Sequence, residues 1–162
     1  MVEHFDGIRL RGEAEFLHRT REALILLRPT SGFVEIQSNI RLIHQGRRSG
    51  MKAWAKEPTF TVGKPTWKHS TLWYAGAIAH DAYHSKLYAE AKNATPGLEP
   101  DTDSWTGTEA EKKCLGFQRK VLLQLNADPE TIAYLDSCRE NPTYQGRNRG
   151  WKSWLDYLKR WW

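Results

Sequence analysis

With 162 residues, 40% of them hydrophobic, the chain can bury one substantial core, and nothing in it calls for a second. The formal charge of +5 is moderately basic; with no apolar run of spanning length and no basic-then-apolar leader at the start, a soluble cytoplasmic protein is expected. The two cysteines, Cys114 and Cys138, form no C-x-x-C pair; they could meet across the hairpin of the last two core helices, but free buried thiols in a reducing compartment are the favoured reading.

A first amphipathic helix is expected from Glu13 to about Leu27, between Gly12 and Arg28-Pro29, burying Phe16, Leu17, Ala23, Leu24 and Leu27. The segment from Gly32 to Ile43 suits a short helix followed by a strand that leads to the turn Gln45 to Gly50. Lys52 to Trp54 and Thr59 to Val62 then read as strands, broken by Pro58 and by Gly63-Lys64-Pro65. Ser70 caps a long helix over 71–91. A polar loop follows, Asn93 to Thr106, whose Asp101 and Asp103 read as solvated charges, with an added ligand or repulsion of acidic substrates as the alternative. Thr108-x-x-Glu111 has the form of a capping box and opens a helix from Glu109 to about Leu125, whose apolar stripe is Ala110, Cys114, Phe117, Val121 and Leu125. Asp128-Pro129 starts a further helix to about Arg139.

The end of the chain differs in composition. Residues 146–162 carry Arg147, Arg149, Lys152, Lys159 and Arg160 against the single acid Asp156, together with half of the tryptophans. Trp151, Trp154, Leu155 and Leu158 line one helical face and leave the cations opposite. An amphipathic helix docked on its own domain is the simpler reading; contact with an anionic surface, membrane or nucleic acid, is the other.

The chemistry concentrates in His80-Asp81-Ala82-Tyr83-His84, inside the long helix. Imidazoles four positions apart leave one helical face a turn from each other, so both can reach one metal ion without bending the backbone. The run Leu72, Trp73, Ala75, Ala77, Ile78, Ala79 leads straight into His80, which places the pair where the helix is buried and where an imidazole needs hydrogen-bond partners or a metal. About 27 residues beyond His84, Glu111 shares a face of the next helix with Cys114, Leu115, Gln118 and Leu122 and so points into the protein, while Glu109 falls on the lysine side. Glu111 also occupies the third helical position, where capping is its alternative role.

This pattern resembles the gluzincin arrangement of zinc peptidases, H-E-x-x-H followed by a glutamate on a second helix. The resemblance is closest to small forms whose second helix reads E-x-x-A-x-x-F-[AQ], here Glu111-Lys112-Lys113-Cys114-Leu115-Gly116-Phe117-Gln118. It extends upstream to Gly50-Met51-Lys52-Ala53-Trp54 and Thr59-Phe60-Thr61-Val62-Gly63, which would supply strands of the small sheet over the metal-binding helix. It implies an α+β fold, a minimal zincin-like domain over residues 1–145 in which a small mixed or antiparallel sheet packs on a long metal-binding helix with further helices. It further implies Zn2+ held by His80, His84 and Glu111, Asp81 as the catalytic general base, and a peptide or protein substrate added as a strand near Thr59 to Val62.

Two positions depart from the pattern: aspartate replaces the catalytic glutamate, and Cys114 stands where a small alanine is usual. Aspartate reaches one C–C bond less far, so metal binding is better supported than turnover. Tyr83, His69 and Tyr144 are candidates for stabilising an oxyanion. Two other functions fit the motif. One is a catalytically inactive zincin-fold binding protein; the other is an HD-type metal-dependent phosphohydrolase, in which Asp81 would itself be a ligand and the domain would be all helical.

Overall fold

In the computed structural model, which describes residues 1–140, the chain opens with a hairpin of β1 (Val2–Phe5) and β2 (Ile8–Arg11) that the sequence reading does not anticipate. Its two-residue turn is Asp6-Gly7, with φ of 44° and 85°. That left-handed pair matches the twist of the flanking strands, and glycine and aspartate adopt it at little steric cost.

Helix α1 (Ala14–Leu27) follows, and all five residues expected to be buried on it are buried. Helix α2 (Phe33–Asn39) then leads into β3 (Leu42–Gly46), the helix-then-strand order expected for this segment. Strand β4 is Gly50–Lys52, ending two residues before the expected Trp54, because Ala53 and Trp54 turn away toward the next strand. Strand β5 (Thr59–Gly63) completes a sheet of order β1-β2-β3-β5-β4. Its centre, β2, β3 and β5, is parallel, and both edge strands run antiparallel to their neighbours, so the sheet is mixed. Because β5 is paired on both sides, the sheet edge on this side is β4, not the Thr59–Val62 segment expected to receive a substrate strand.

Alternation along the strands turns Ile8, Leu10, Ile43, Phe60 and Val62 into the core. They meet Phe16, Leu24 and Leu27 of α1 and Tyr74, Ile78 and Ala79 of the long helix α4 (Thr71–Ala94), which follows the single turn α3 (Lys64–Trp67). Ser70 caps α4 as expected, accepting from the Trp73 N–H at 3.1 Å. Helix α4 is the hub: it touches α1, α2, α3, β4 and β5, and also α5 (Asp103–Thr106) and α6 (Thr108–Gln124). Small residues along it, Ala75, Gly76, Ala79 and Ala82, let so many neighbours approach. A Cβ at Gly76 would lie 3.0 Å from Leu122 Cδ1 and 3.1 Å from Gln118 Nε2, both on α6, so glycine here sets the spacing of the two helices that carry the histidines and Glu111.

Three expectations for the second half change. Helix α4 runs three residues further, to Ala94, and the polar loop beyond it contains the extra turn α5. The capping box at Thr108 does not form. Gly107 is the N-cap of α6, in extended conformation, and no side chain caps the helix. Helix α7 (Pro129–Glu140) starts as expected, with Asp128 accepting from the Thr131 N–H at 2.7 Å. It packs Ile132 and Leu135 on Leu115 and Leu122 as a satellite cluster. The result is an α+β architecture of zincin-like type, a small mixed sheet beside long helices. The five-stranded sheet is incompatible with the all-helical domain that an HD-type phosphohydrolase requires. No helix among the described residues is long and apolar enough to cross a membrane. The tryptophan-rich helix expected over 146–162, and the domain boundary at residue 145, lie outside the described residues.

Candidate metal centre

One turn of α4 separates His80 from His84 and brings their rings to a centroid distance of 4.8 Å, with the two Nε2 atoms 3.1 Å apart. From α6, the Glu111 carboxylate meets both: Oε1 lies 3.3 Å from His80 Nε2 and Oε2 lies 3.2 Å from His84 Nε2. Glu111 is 1% exposed. Its side chain is thus turned to the imidazoles rather than back to its own helix terminus, where its backbone N–H bonds to the Gly107 carbonyl. The structure therefore brings together the three residues that the sequence singles out.

Two partners that the sequence reading does not assign to the site decide how the imidazoles present themselves. The buried main-chain carbonyl of Trp105, at the end of the loop after α4, lies 2.7 Å from His84 Nδ1, and a carbonyl can only accept. Gln118 Oε1, two turns beyond Glu111 on α6, lies 3.1 Å from His80 Nδ1. With each Nδ1–H donated in this way, each neutral imidazole keeps its lone pair on Nε2. Two lone pairs then face each other at 3.1 Å beside a carboxylate, an arrangement that is repulsive until a cation lies between them, either a metal ion or protons on the rings.

The spacing suits a metal. Bonds of about 2.0–2.2 Å from zinc to nitrogen and oxygen, at tetrahedral angles, place neighbouring donors about 3.3–3.5 Å apart, within a few tenths of an ångström of the separations found here. Nitrogen and carboxylate donors are also the chemistry that zinc takes. Cys114, one turn after Glu111 on the same face of α6 and fully buried, joins the group: donor atoms of His80, His84 and Cys114 all lie within 4.8 Å of one another.

Charges are coupled across the cluster. Burial works to keep His84 neutral, but its hydrogen bonds to Cys114 and Glu111, aided by the charge of Asp81, overcome this and hold its imidazolium well above the usual histidine range. Burial pushes the Cys114 thiol up, with His84 pulling the other way. Asp81 follows His80 in sequence; burial raises its carboxyl above the ordinary aspartate range, opposed by His80 and His84 and reinforced by Glu111.

Of the candidates for an oxyanion donor, the two among the described residues are not brought here. Tyr83 lies against Phe117, ring centroids 4.9 Å apart, and lines a separate groove of about 380 Å³ with Glu35, Lys86 and Lys120. His69 sits at the N-terminus of α4 beside Ser70 and Trp73. Tyr144 lies outside the described residues. Asp101 and Asp103 are exposed, as expected of loop charges. Of the residues that were missed, Gln118 had a legible signal, since it shares the inward face of α6 with Glu111 and Cys114. The Trp105 carbonyl had none. No family model, no curated protein and no solved structure matches the chain. The site therefore carries the functional reading by its own geometry.

Proposed function

We propose that the protein is a zinc-dependent hydrolase, a metallopeptidase, in which His80, His84 and Glu111 hold the ion and Asp81 acts as general base. The observation that carries this reading is the convergence of two Nε2 atoms and one carboxylate at 3.1–3.3 Å, with both imidazoles oriented by a second hydrogen bond. Zinc bound by three such donors lowers the pKa of a water ligand toward neutrality and polarises a carbonyl.

Each protein group then has a defined task. Gln118 and the Trp105 carbonyl fix the ring orientations, and Glu111 supplies the negative charge that a divalent ion needs in a buried place. Asp81, with its carboxyl raised by burial, sits closer to the operating range of a proton acceptor that must later give the proton back. An extended peptide fits by adding to the outer edge of β4, the edge strand that packs against α4.

Elemental analysis of the purified protein, paired with cleavage of an unstructured protein substrate, tests the reading. Zinc is expected near one per chain, lost in His80→Ala and in Glu111→Ala and retained in Asp81→Asn. Cleavage is expected to stop with chelator and in Asp81→Asn. Cleavage that persists in Asp81→Asn removes the aspartate from the base role; a protein that takes up no zinc sinks the proposal.

A further inference from the structure

We infer that Cys114 is a fourth donor to the same ion, so that the site rests in a closed His-His-Glu-Cys form and offers a place to water or substrate only after the sulfur leaves. This rests on the metal reading above and adds to it a means of control that lies within the site.

The geometry comes first. Glu111 and Cys114 are three residues apart on α6 and so leave the helix in one direction, a turn apart, just as His80 and His84 do on α4. Two facing helical turns thus contribute two donors each. The Sγ falls within 4.8 Å of both histidine donors. A zinc–sulfur bond of about 2.3 Å and a zinc–nitrogen bond of about 2.0–2.1 Å place tetrahedral S and N donors roughly 3.6 Å apart, so a side-chain adjustment of about an ångström closes the set.

Charge argues the same way. Glu111 and Cys114 are both within the protein, at 1% and 0% exposure. A divalent cation with one carboxylate leaves a buried site with a net positive charge; a carboxylate and a thiolate together neutralise it, and the thiol proton departs to solvent as the metal–sulfur bond forms. Nor is the thiol committed elsewhere, because Cys114 is free of any disulfide and Cys138 belongs to the satellite cluster around α7.

Titration of the full chain with cobalt(II) alone tests this, because cobalt takes the zinc geometry and a bound thiolate adds an intense charge-transfer band in the near ultraviolet. The band is expected to grow to saturation at one cobalt per chain. It is expected to fall to baseline in Cys114→Ser and to be unchanged in Cys138→Ser, which keeps the assignment readable even if the Cys114 variant does not fold. Cobalt taken up with visible d–d bands but no charge-transfer band, or with a band that disappears in Cys138→Ser, overturns the Cys114 assignment while leaving the three-donor metal site standing. Absence of cobalt uptake, confirmed by absence of zinc on elemental analysis, overturns both.

Discussion

Two of the buried polar groups on helix α4 differ in the way that separates scaffold from site. Near its start, the Tyr74 hydroxyl meets Thr20 Oγ1 at 2.8 Å, and Thr20 donates in turn to the Phe16 carbonyl at 2.7 Å. Each hydroxyl has one proton to give and finds one acceptor, so the chain of bonds is closed and needs nothing more. Burial pushes the Tyr74 phenol well above its ordinary range, so the group never ionises. Two turns later, each imidazole sets its Nδ1 against an oxygen, of Gln118 or of the Trp105 main chain, and turns its Nε2 toward the other ring and toward Glu111. Both groups lie in the protein interior, yet only the second sets two imidazoles and a carboxylate side by side. Clustered metal-type donors, rather than burial or polarity alone, mark it as a candidate cation site.

The largest effect that can break this contrast is expected from Glu111→Gln, which keeps the shape and removes the charge. Zinc content should drop from about one per chain to near zero after dialysis, and zinc should no longer raise the melting temperature, against an expected rise of roughly 5–10 °C for the parent at zinc a hundredfold over its dissociation constant. Equal zinc retention would mean that the carboxylate is only a hydrogen-bond acceptor, like those around Tyr74.

Gln118→Met preserves volume and takes the acceptor from His80 Nδ1. Zinc affinity, measured by competition with a chromophoric chelator, should weaken by roughly tenfold to a hundredfold with little change in fold stability. The converse is expected at the other group. Thr20→Val leaves the buried Tyr74 hydroxyl without its partner and should lower urea-unfolding stability by about 1–3 kcal/mol while leaving zinc affinity unchanged. A zinc effect there would show that the two groups are not independent.

The smallest effect is expected outside both groups, at the Asp128 cap of α7. Bonds from the Thr131 side chain and backbone hold this carboxyl below the usual aspartate range. A depressed folded-state pKa contributes stability that is present above the unfolded value of about 3.9 and is lost as pH falls through the folded value. The melting temperatures of the parent and Asp128→Asn should therefore differ most near neutrality and converge in acid.

Much of this architecture was legible because helices announce themselves locally. The periodic apolar faces of α1 and α6 and the side-chain caps at Ser70 and Asp128 predicted elements that form nearly where expected. The N-terminal hairpin escaped because Glu3, His4, Arg9 and Arg11 interrupt any apolar run, although Asp6-Gly7 is a strong two-residue turn signal. The helix turn α5 escaped because four residues are too few to show a period. At Thr108 the local signal was real but lost to a tertiary one: Glu111 could serve a cap or the imidazoles, and the sequence cannot weigh a bond within a turn against one between helices. Cys114 was hidden in plain view, since a cysteine on a stripe with Ala110, Phe117 and Val121 reads as core.

The bond from His84 to Trp105 has a consequence of its own. Its acceptor is a peptide oxygen, so no exchange of the residue-105 side chain deletes it directly; what aims that ring is the path of the main chain between α4 and α6. Shortening or lengthening that connection would swing the oxygen aside and misdirect the imidazole while every donor residue stayed in place. The loop thus works as a ruler: the spacing of the segment, more than its spelling, keeps the centre in tune.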